Sequence, residues 1–358
     1  MNDDLYVRLR KRLNHNAQRF PAIEEVFDFL KALFTVEQAE FASQFPVGAH
    51  TLQNLSKLMN QDETELENQL ESMADEGQIF VAMTEQGDKE YSLVPIVPGL
   101  VEFQSMKGNI ETVKLASRMN HAITKMATPL YQEPERANTR IGNPGLRTLA
   151  VEELLPSDSG VADWEQISRL LENDDSYAAG RCACRFQAEA DGNPCKIENV
   201  AMDACIYFGK VADYMIDRGF ARRYSKEGIL QLLKTCEEQG LVHNINNFLG
   251  LNHVLCNCCG CCCHLLKPMI QHRGLQLVAN SNFVAEVDPD SCSICGDCEE
   301  ICQLKAITVN DDVAEVNQAY CIGCGNCVSI CPTESINLIR YSDKKPPAKP
   351  DSLVGLGV

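Results

Sequence analysis

The 358-residue sequence has no cysteine before Cys182, no arginine between Pro21 and Tyr91, and a single tryptophan. It also lacks any long apolar run. A membrane-spanning helix needs ~18 or more apolar residues, and the best stretch, 92–101, is short and broken by Pro95 and Pro98. The first residues open on Asp3 and Asp4, turn basic, and never build the apolar centre of a secretory signal. A reducing cytoplasm is therefore the expected compartment. Basic residues are scarce, 32 Lys plus Arg against 50 Asp plus Glu, for a net charge of −18. That balance argues against nucleic acid as a general partner. No phosphate loop, dinucleotide fingerprint or serine-nucleophile elbow is present. With 45% hydrophobic and 23% charged residues the composition is that of an ordinary globular chain. At ~150 residues per domain the length predicts two to three domains.

What the chain does have is cysteine. Nineteen lie between Cys182 and Cys331. A secreted disulfide scaffold is short and carries an even number spread through the fold. Clustered thiols in a reducing compartment point instead to metal or redox chemistry.

Residues 1–20 form a basic amphipathic arm in which Tyr6, Leu9 and Leu13 recur at helical spacing beside Arg8, Arg10, Lys11, Arg12 and Arg19. A solvated arm packed by three apolar residues is the leading expectation; a membrane surface or an acidic partner is the alternative. Residues 21–101 read as three helices and two strands. Ile23, Val26, Phe27, Leu30 and Leu33-Phe34 make the first stripe, Leu52, Leu55 and Leu58-Met59 the second, and Leu66, Leu70 and Met73 the third, which Gly77 ends. Residues 79–83 and 91–97 follow as strands around Gly87-Asp88. This order resembles the winged-helix fold. From Pro21 to Tyr91, however, 15 Asp plus Glu face three Lys, and the helix that would enter a groove carries Asp62, Glu63, Glu65, Glu67 and Glu71. Such a surface repels phosphates, so a protein-docking or dimerisation module is expected. Residues 102–178 read as a helical and loop linker, helical over 107–126 and a surface loop over 128–144.

Residues 285–313 return at 314–342 with an offset of 29. Cys292, Cys295, Cys298 and Cys302 return as Cys321, Cys324, Cys327 and Cys331, and Gly296, Ile301 and Ile307 as Gly325, Ile330 and Ile336. Each half has the spacing C-x2-C-x2-C-x3-C, in which three thiols wrap a cubane and the fourth points away. Residues 282–340 resemble a bacterial-type two-cluster (4Fe–4S) ferredoxin domain. The resemblance implies one cluster on Cys292, Cys295, Cys298 and Cys331, and another on Cys321, Cys324, Cys327 and Cys302. The Pro that follows the fourth Cys is present as Pro332, but Gln303 stands in the other half. Zinc knuckles pair C-x2-C units differently.

Residues 179–281 hold the remaining cysteines. Cys182 and Cys184 flank Ala183, followed by Cys195 and Cys205; a second group runs from Cys256 to Cys263. A helix capped by Ser225 and closed by Gly240 separates the groups, and Cys236 on it reads as a small buried hydrophobe. Thiolates at this density select iron–sulfur, zinc or Cu(I). At least one additional Fe–S cluster is expected, with Cys184, Cys195, Cys205, Cys256, Cys258, Cys259 and Cys262 as candidate ligands, not all of them used. Zinc and partly structural or redox-active thiols are the alternatives. Arg181, Arg185, Arg218, Arg222 and Arg223 would offset the charge of an anionic cluster. His243, His253 and His264 read as polar residues rather than ligands.

The expected architecture is α+β and multi-domain: a winged-helix-like N-terminal domain, a Cys-rich helical middle domain and a ferredoxin-like C-terminal domain, with 341–358 as a flexible tail. The layout resembles multi-domain iron–sulfur proteins of anaerobic bacteria and archaea. That implies an electron-transfer protein or subunit relaying low-potential electrons between a donor and a larger oxidoreductase. Its acidic surface would dock on a basic redox partner. The alternatives are a reductase with its active site in the Cys-rich domain and a redox-sensing regulator.

Overall fold

A computed structural model describes residues 2–15, 19–155, 161–250 and 253–349. The fold is a mixed α+β one, with several small sheets among many helices.

The N-terminal part runs α1 (Asn2–Leu13), α2 (Glu24–Leu33), α3 (Val36–Gln44), β1 (His50–Thr51), α4 (Leu52–Met59), α5 (Glu63–Asp75), β2 (Ile79–Met83) and β3 (Lys89–Leu93). Helix α3 lies beyond the three expected stripes. Its start is a capping box: Thr35 accepts from the Gln38 N–H, and the Gln38 side chain accepts from the Thr35 N–H. Its short apolar face, Ala39, Phe41 and Ala42, carries too little periodicity to stand out. The strands pair antiparallel in the order β1-β3-β2.

Helix α1 is an integral part of this unit. Leu5, Tyr6, Leu9 and Leu13 are buried, and Tyr6 Oη donates to the Phe34 carbonyl at 2.8 Å. Its basic residues are engaged within the chain: Arg8 with Glu40 at 2.6 Å, Arg12 with the Phe45 and Pro46 carbonyls, and Arg10 with the Phe20 carbonyl.

Helices α6 (Val101–Lys107), α7 (Ile110–Tyr131) and α8 (Pro134–Ile141) follow. The loop expected over 128–144 is largely helical. Pro129 sits in the last turn of α7, and Pro134 opens α8, where a missing N–H and a fixed φ suit the first helical position.

A six-stranded antiparallel sheet dominates the middle of the molecule. Its strands are β4 (Leu146–Thr148), β5 (Tyr177–Gly180), β6 (Cys205–Phe208), β7 (Arg222–Tyr224), β8 (Val242–Asn246) and β9 (Val254–Cys258), in the order β4-β8-β9-β6-β5-β7. The middle domain is thus built on a sheet, not on helices as expected. Its strands are three to five residues long and rich in Ala, Asn and Cys, so β-propensity gives them little signal. Residues 102–178, read as a linker, supply β4 and half of β5. Helices α9 (Ile167–Leu170), α10 (Ala183–Ala190), α11 (Gly209–Asp217), α12 (Lys226–Glu238) and α13 (Leu266–Gln271) surround the sheet. Alternation sorts its two faces. Tyr177, Ala179, Ile206, Phe208 and Leu255 join Ile229 and Leu233 of α12 in one core. Ala178, Cys205 and Tyr207 face the N-terminal helices in another.

The C-terminal repeat is two copies of one unit. Strand β10 (Phe283–Val287) pairs with β13 (Ile336–Arg340), and β11 (Ile307–Val309) with β12 (Ala314–Val316), while α14 (Asp297–Ile301) packs on α15 (Asn326–Ile330). The 29-residue offset extends to the backbone. Left-handed residues recur at Ile294 and Gly323, Gly296 and Gly325, and Lys305 and Glu334.

Candidate metal centres

The thiols fall into four spatial sets. In the C-terminal repeat, Cys292, Cys295 and Cys298 line a cavity together with Cys331 from the other half. Cys302 reciprocates: it lies with Cys321 and Cys324 in one apolar cluster, and its charge acts on Cys327 as well. Each half therefore sends its fourth thiol to its partner's loop. The loops have to coil tightly. Gly296 and Gly325 hold φ of 89° and 87° at the N-caps of α14 and α15. At Gly323 a Cβ would meet the Phe283 carbonyl oxygen at 2.0 Å. The two sets differ in environment. Burial pushes the Cys324 thiol up to about 12 and also raises Cys321 and Cys327. Burial also raises Cys331, but hydrogen bonds from Ser335 and Thr333 outweigh it and bring that thiol down to about 7.

The middle field separates into two sets. Cys205 on β6 stands opposite Cys256 on β9, and Cys258 lies two residues on, on the same face. Cys182 N-caps α10, and Cys184 sits in its first turn. Cys263 completes the group from the turn after β9. The proton affinity of each thiol is set first by two others, in the order Cys182, Cys184, Cys263, Cys258, Cys256, Cys205 and back to Cys182, so the six make a ring of neighbours. Their thiol neighbours hold Cys182 and Cys263 well below the ordinary thiol range. The second set is Cys195, Cys259, Cys261 and Cys262, whose sulfurs all lie within 4.8 Å of one another.

The seven candidates from the middle field thus divide. Cys184, Cys205, Cys256 and Cys258 belong to the ring; Cys195, Cys259 and Cys262 belong to the foursome. Cys182, Cys261 and Cys263 were missing from that selection. The alternation of β9 was the signal for splitting the run, because Cys256 and Cys258 share a face that Asn257 does not. Cys236 is fully buried beside Leu241, and burial raises its thiol to about 12.

Of the five arginines expected near the field, Arg185 alone is buried among the thiols. It is 1% exposed and donates to the Asn257 and Ala201 carbonyls at 2.9 and 2.8 Å. Burial works against its charge, while Cys182, Cys259, Cys205 and Cys258 favour it. It therefore stands between ring and foursome. Arg218 instead pairs with Glu71 and Asp75 of α5, Arg222 with Asp203, and Arg223 with Asp213; Arg181 lies over the Phe186 ring. His243 bonds Asn257 and Glu237, and His264 bonds Gln187.

Gln303, the departure from the ferredoxin-like pattern, has a structural use. Its side-chain oxygen accepts from the Gly260 N–H at 2.8 Å, joining the turn between Cys259 and Cys261 to the residue after Cys302. A Cβ at Gly260 would approach the Gln303 carbonyl oxygen to 2.3 Å, so the contact requires glycine.

A family model, the LdpA Fe-S cluster-binding domain, matches residues 284–342. The C-terminal region binds iron–sulfur. No curated protein and no solved structure matches the chain. No helix among the described residues is long and apolar enough to cross a membrane.

Proposed function

We propose that this protein relays single electrons through three iron–sulfur clusters. Two are of the (4Fe–4S) type in the ferredoxin-like domain, residues 282–340. One uses Cys292, Cys295, Cys298 and Cys331, the other Cys321, Cys324, Cys327 and Cys302. The third uses thiols of the six-membered ring on the sheet face. The observation that carries this reading is the exchange of the fourth thiol between the two halves of a C-terminal domain that matches an iron–sulfur family model. Such an exchange places two clusters side by side.

In this reading the N-terminal region, winged-helix-like over residues 21–101, docks a redox partner with a basic surface. The acidic field of the chain steers the encounter, which slows as salt rises. Iron and acid-labile sulfide on the anaerobically purified chain test the proposal. About twelve irons are expected, four for each of three cubanes, with EPR of the reduced protein showing interacting paramagnets. Eight irons would remove the third cluster.

One observation favours a second reading, a reductase whose active site is the ring. Six thiols exceed the four that a cubane uses, which leaves two for exchange with a substrate disulfide. Two alkylatable ring thiols in the fully iron-loaded protein would support it; none would exclude it.

A further inference from the structure

Among the described residues, the foursome is the thiol set whose sulfurs are all mutually close. The sulfurs of Cys195, Cys259, Cys261 and Cys262 all lie within 4.8 Å of one another, close enough for all four to reach one ion between them. Three of the sulfur–sulfur distances measure 3.7, 3.5 and 3.6 Å. Four sulfurs placed tetrahedrally at ~2.3 Å from one zinc ion would be ~3.8 Å apart. A cubane puts irons and sulfides between its thiolates and drives them much further apart. The C-terminal sets show that alternative in the same chain. There Cys292, Cys295, Cys298 and Cys331 surround a cavity, and the Cys331 sulfur bonds Ser335 Oγ and Thr333 Oγ1 rather than another thiol.

From this geometry we infer that Cys195, Cys259, Cys261 and Cys262 hold a single zinc ion in a closed, four-thiolate structural site. The assignment stands independently of the electron-transfer reading, and zinc takes no part in any relay. Four thiolates leave no open position on the ion, as in structural rather than catalytic zinc sites.

The site has a clear mechanical task. Residues 191–204, between α10 and β6, contain no helix or strand. A segment of that length inside a packed domain needs an anchor, and Cys195 is its only thiol. The other three ligands lie in the turn that also carries Gly260 against Gln303 and leads into Cys263 of the ring. One ion therefore ties a loop, the ring and the ferredoxin-like domain together.

The test is metal analysis and zinc-edge X-ray absorption on the full chain purified anaerobically. About one zinc per chain is expected, with four sulfur neighbours and no iron scatterer. Cys195→Ser should lower zinc at least tenfold and leave iron and labile sulfide unchanged. This variant is chosen because Cys195 lies ten or more residues from every ring thiol, whereas Cys259, Cys261 and Cys262 lie within two of one. Absence of zinc from the wild type overturns the inference, as does coordination by fewer than four sulfurs. So does a Cys195→Ser chain that loses iron and sulfide together, which would place a cluster there. If that variant does not fold, the absorption spectrum of the wild type decides alone. A total of eight irons with one zinc would sink the third cluster and keep this site; about sixteen irons without zinc would do the reverse.

Discussion

Arg185 is the side chain best placed to tune the redox centre proposed for the buried thiol field. Its guanidinium is removed from water and meets no carboxylate; it has two backbone carbonyls and the thiols of two sets. A cation there stabilises the more negative, reduced state of any adjoining cluster. Arg185→Met keeps much of the volume and removes the charge. The potential of the cluster proposed for the sheet face should fall by roughly 60–120 mV, a ten- to hundredfold change in a one-electron equilibrium. An EPR-monitored titration reads this; an unchanged potential would place the charge elsewhere. His253 is a residue of the opposite kind. Both ring nitrogens are buried without partners, and burial, with Lys349 and Lys210 nearby, lowers it to about 4. The folded chain thus takes up the proton less readily than the unfolded chain. The stability this represents is complete above the unfolded value of about 6.5 and is lost as pH falls from there through 4, on the order of 3 kcal/mol in all. His253→Leu should flatten that loss, as measured by denaturation midpoints at pH 7 and pH 5 against the wild type.

At the scale of elements, the C-terminal repeat pairs equivalent loops with unequal tolerance. Gly296 and Gly325 are both left-handed, but Gly296 has open space where its Cβ would be. Gly296→Ala should cost only the conformational strain of a positive φ, about 1 kcal/mol. Gly323→Ala would drive a methyl group into the backbone at Phe283 and should cost the cluster held by that loop, read as a loss of iron and of visible absorbance. Ile294, at the position equivalent to Gly323, shows that the first loop has the room the second lacks. Gln303 makes a related point. Restoring proline there, as Gln303→Pro, conforms to the ferredoxin-like pattern but removes the acceptor for Gly260 N–H. The variant should be less stable by about 1 kcal/mol or more, with faster amide exchange in the 259–263 turn. An equally stable variant would show that the contact carries no weight.

Across the whole molecule, the acidic N-terminal unit is held against the sheet rather than carried beside it. Tyr214 of α11 donates to the Ala74 and Ile79 carbonyls at 3.0 and 2.9 Å. Arg218, at the end of α11, reaches Glu71 and Asp75 of α5 at 2.5 and 2.6 Å. Part of the acidity of residues 21–91 is thus spent on an internal contact. Arg218→Ala should weaken this junction by on the order of 1–2 kcal/mol and raise amide exchange in α5 without changing iron content.

How much of this was legible depends on whether the signal was local. The cysteine spacing and the 29-residue repeat are written in consecutive residues, so the iron–sulfur character of residues 284–342 could be read directly. The acidic, helix-rich character of residues 21–101 was equally plain, because apolar stripes and charge counts need no partner. The six-stranded sheet was not: its strands are short, poor in β-branched residues, and joined in an order that leaps from residue 148 to 242. Long-range pairing of that kind leaves no mark of the partner in either strand. The division of ten middle cysteines into a ring and a foursome has the same cause. Cys258 and Cys259 are neighbours in the chain and belong to different sets, because alternation along β9 ends between them and the turn begins. Composition and spacing alone determined that this chain handles metal through thiols; which thiols share a site was decided only when strand pairing and one turn brought distant sulfurs together.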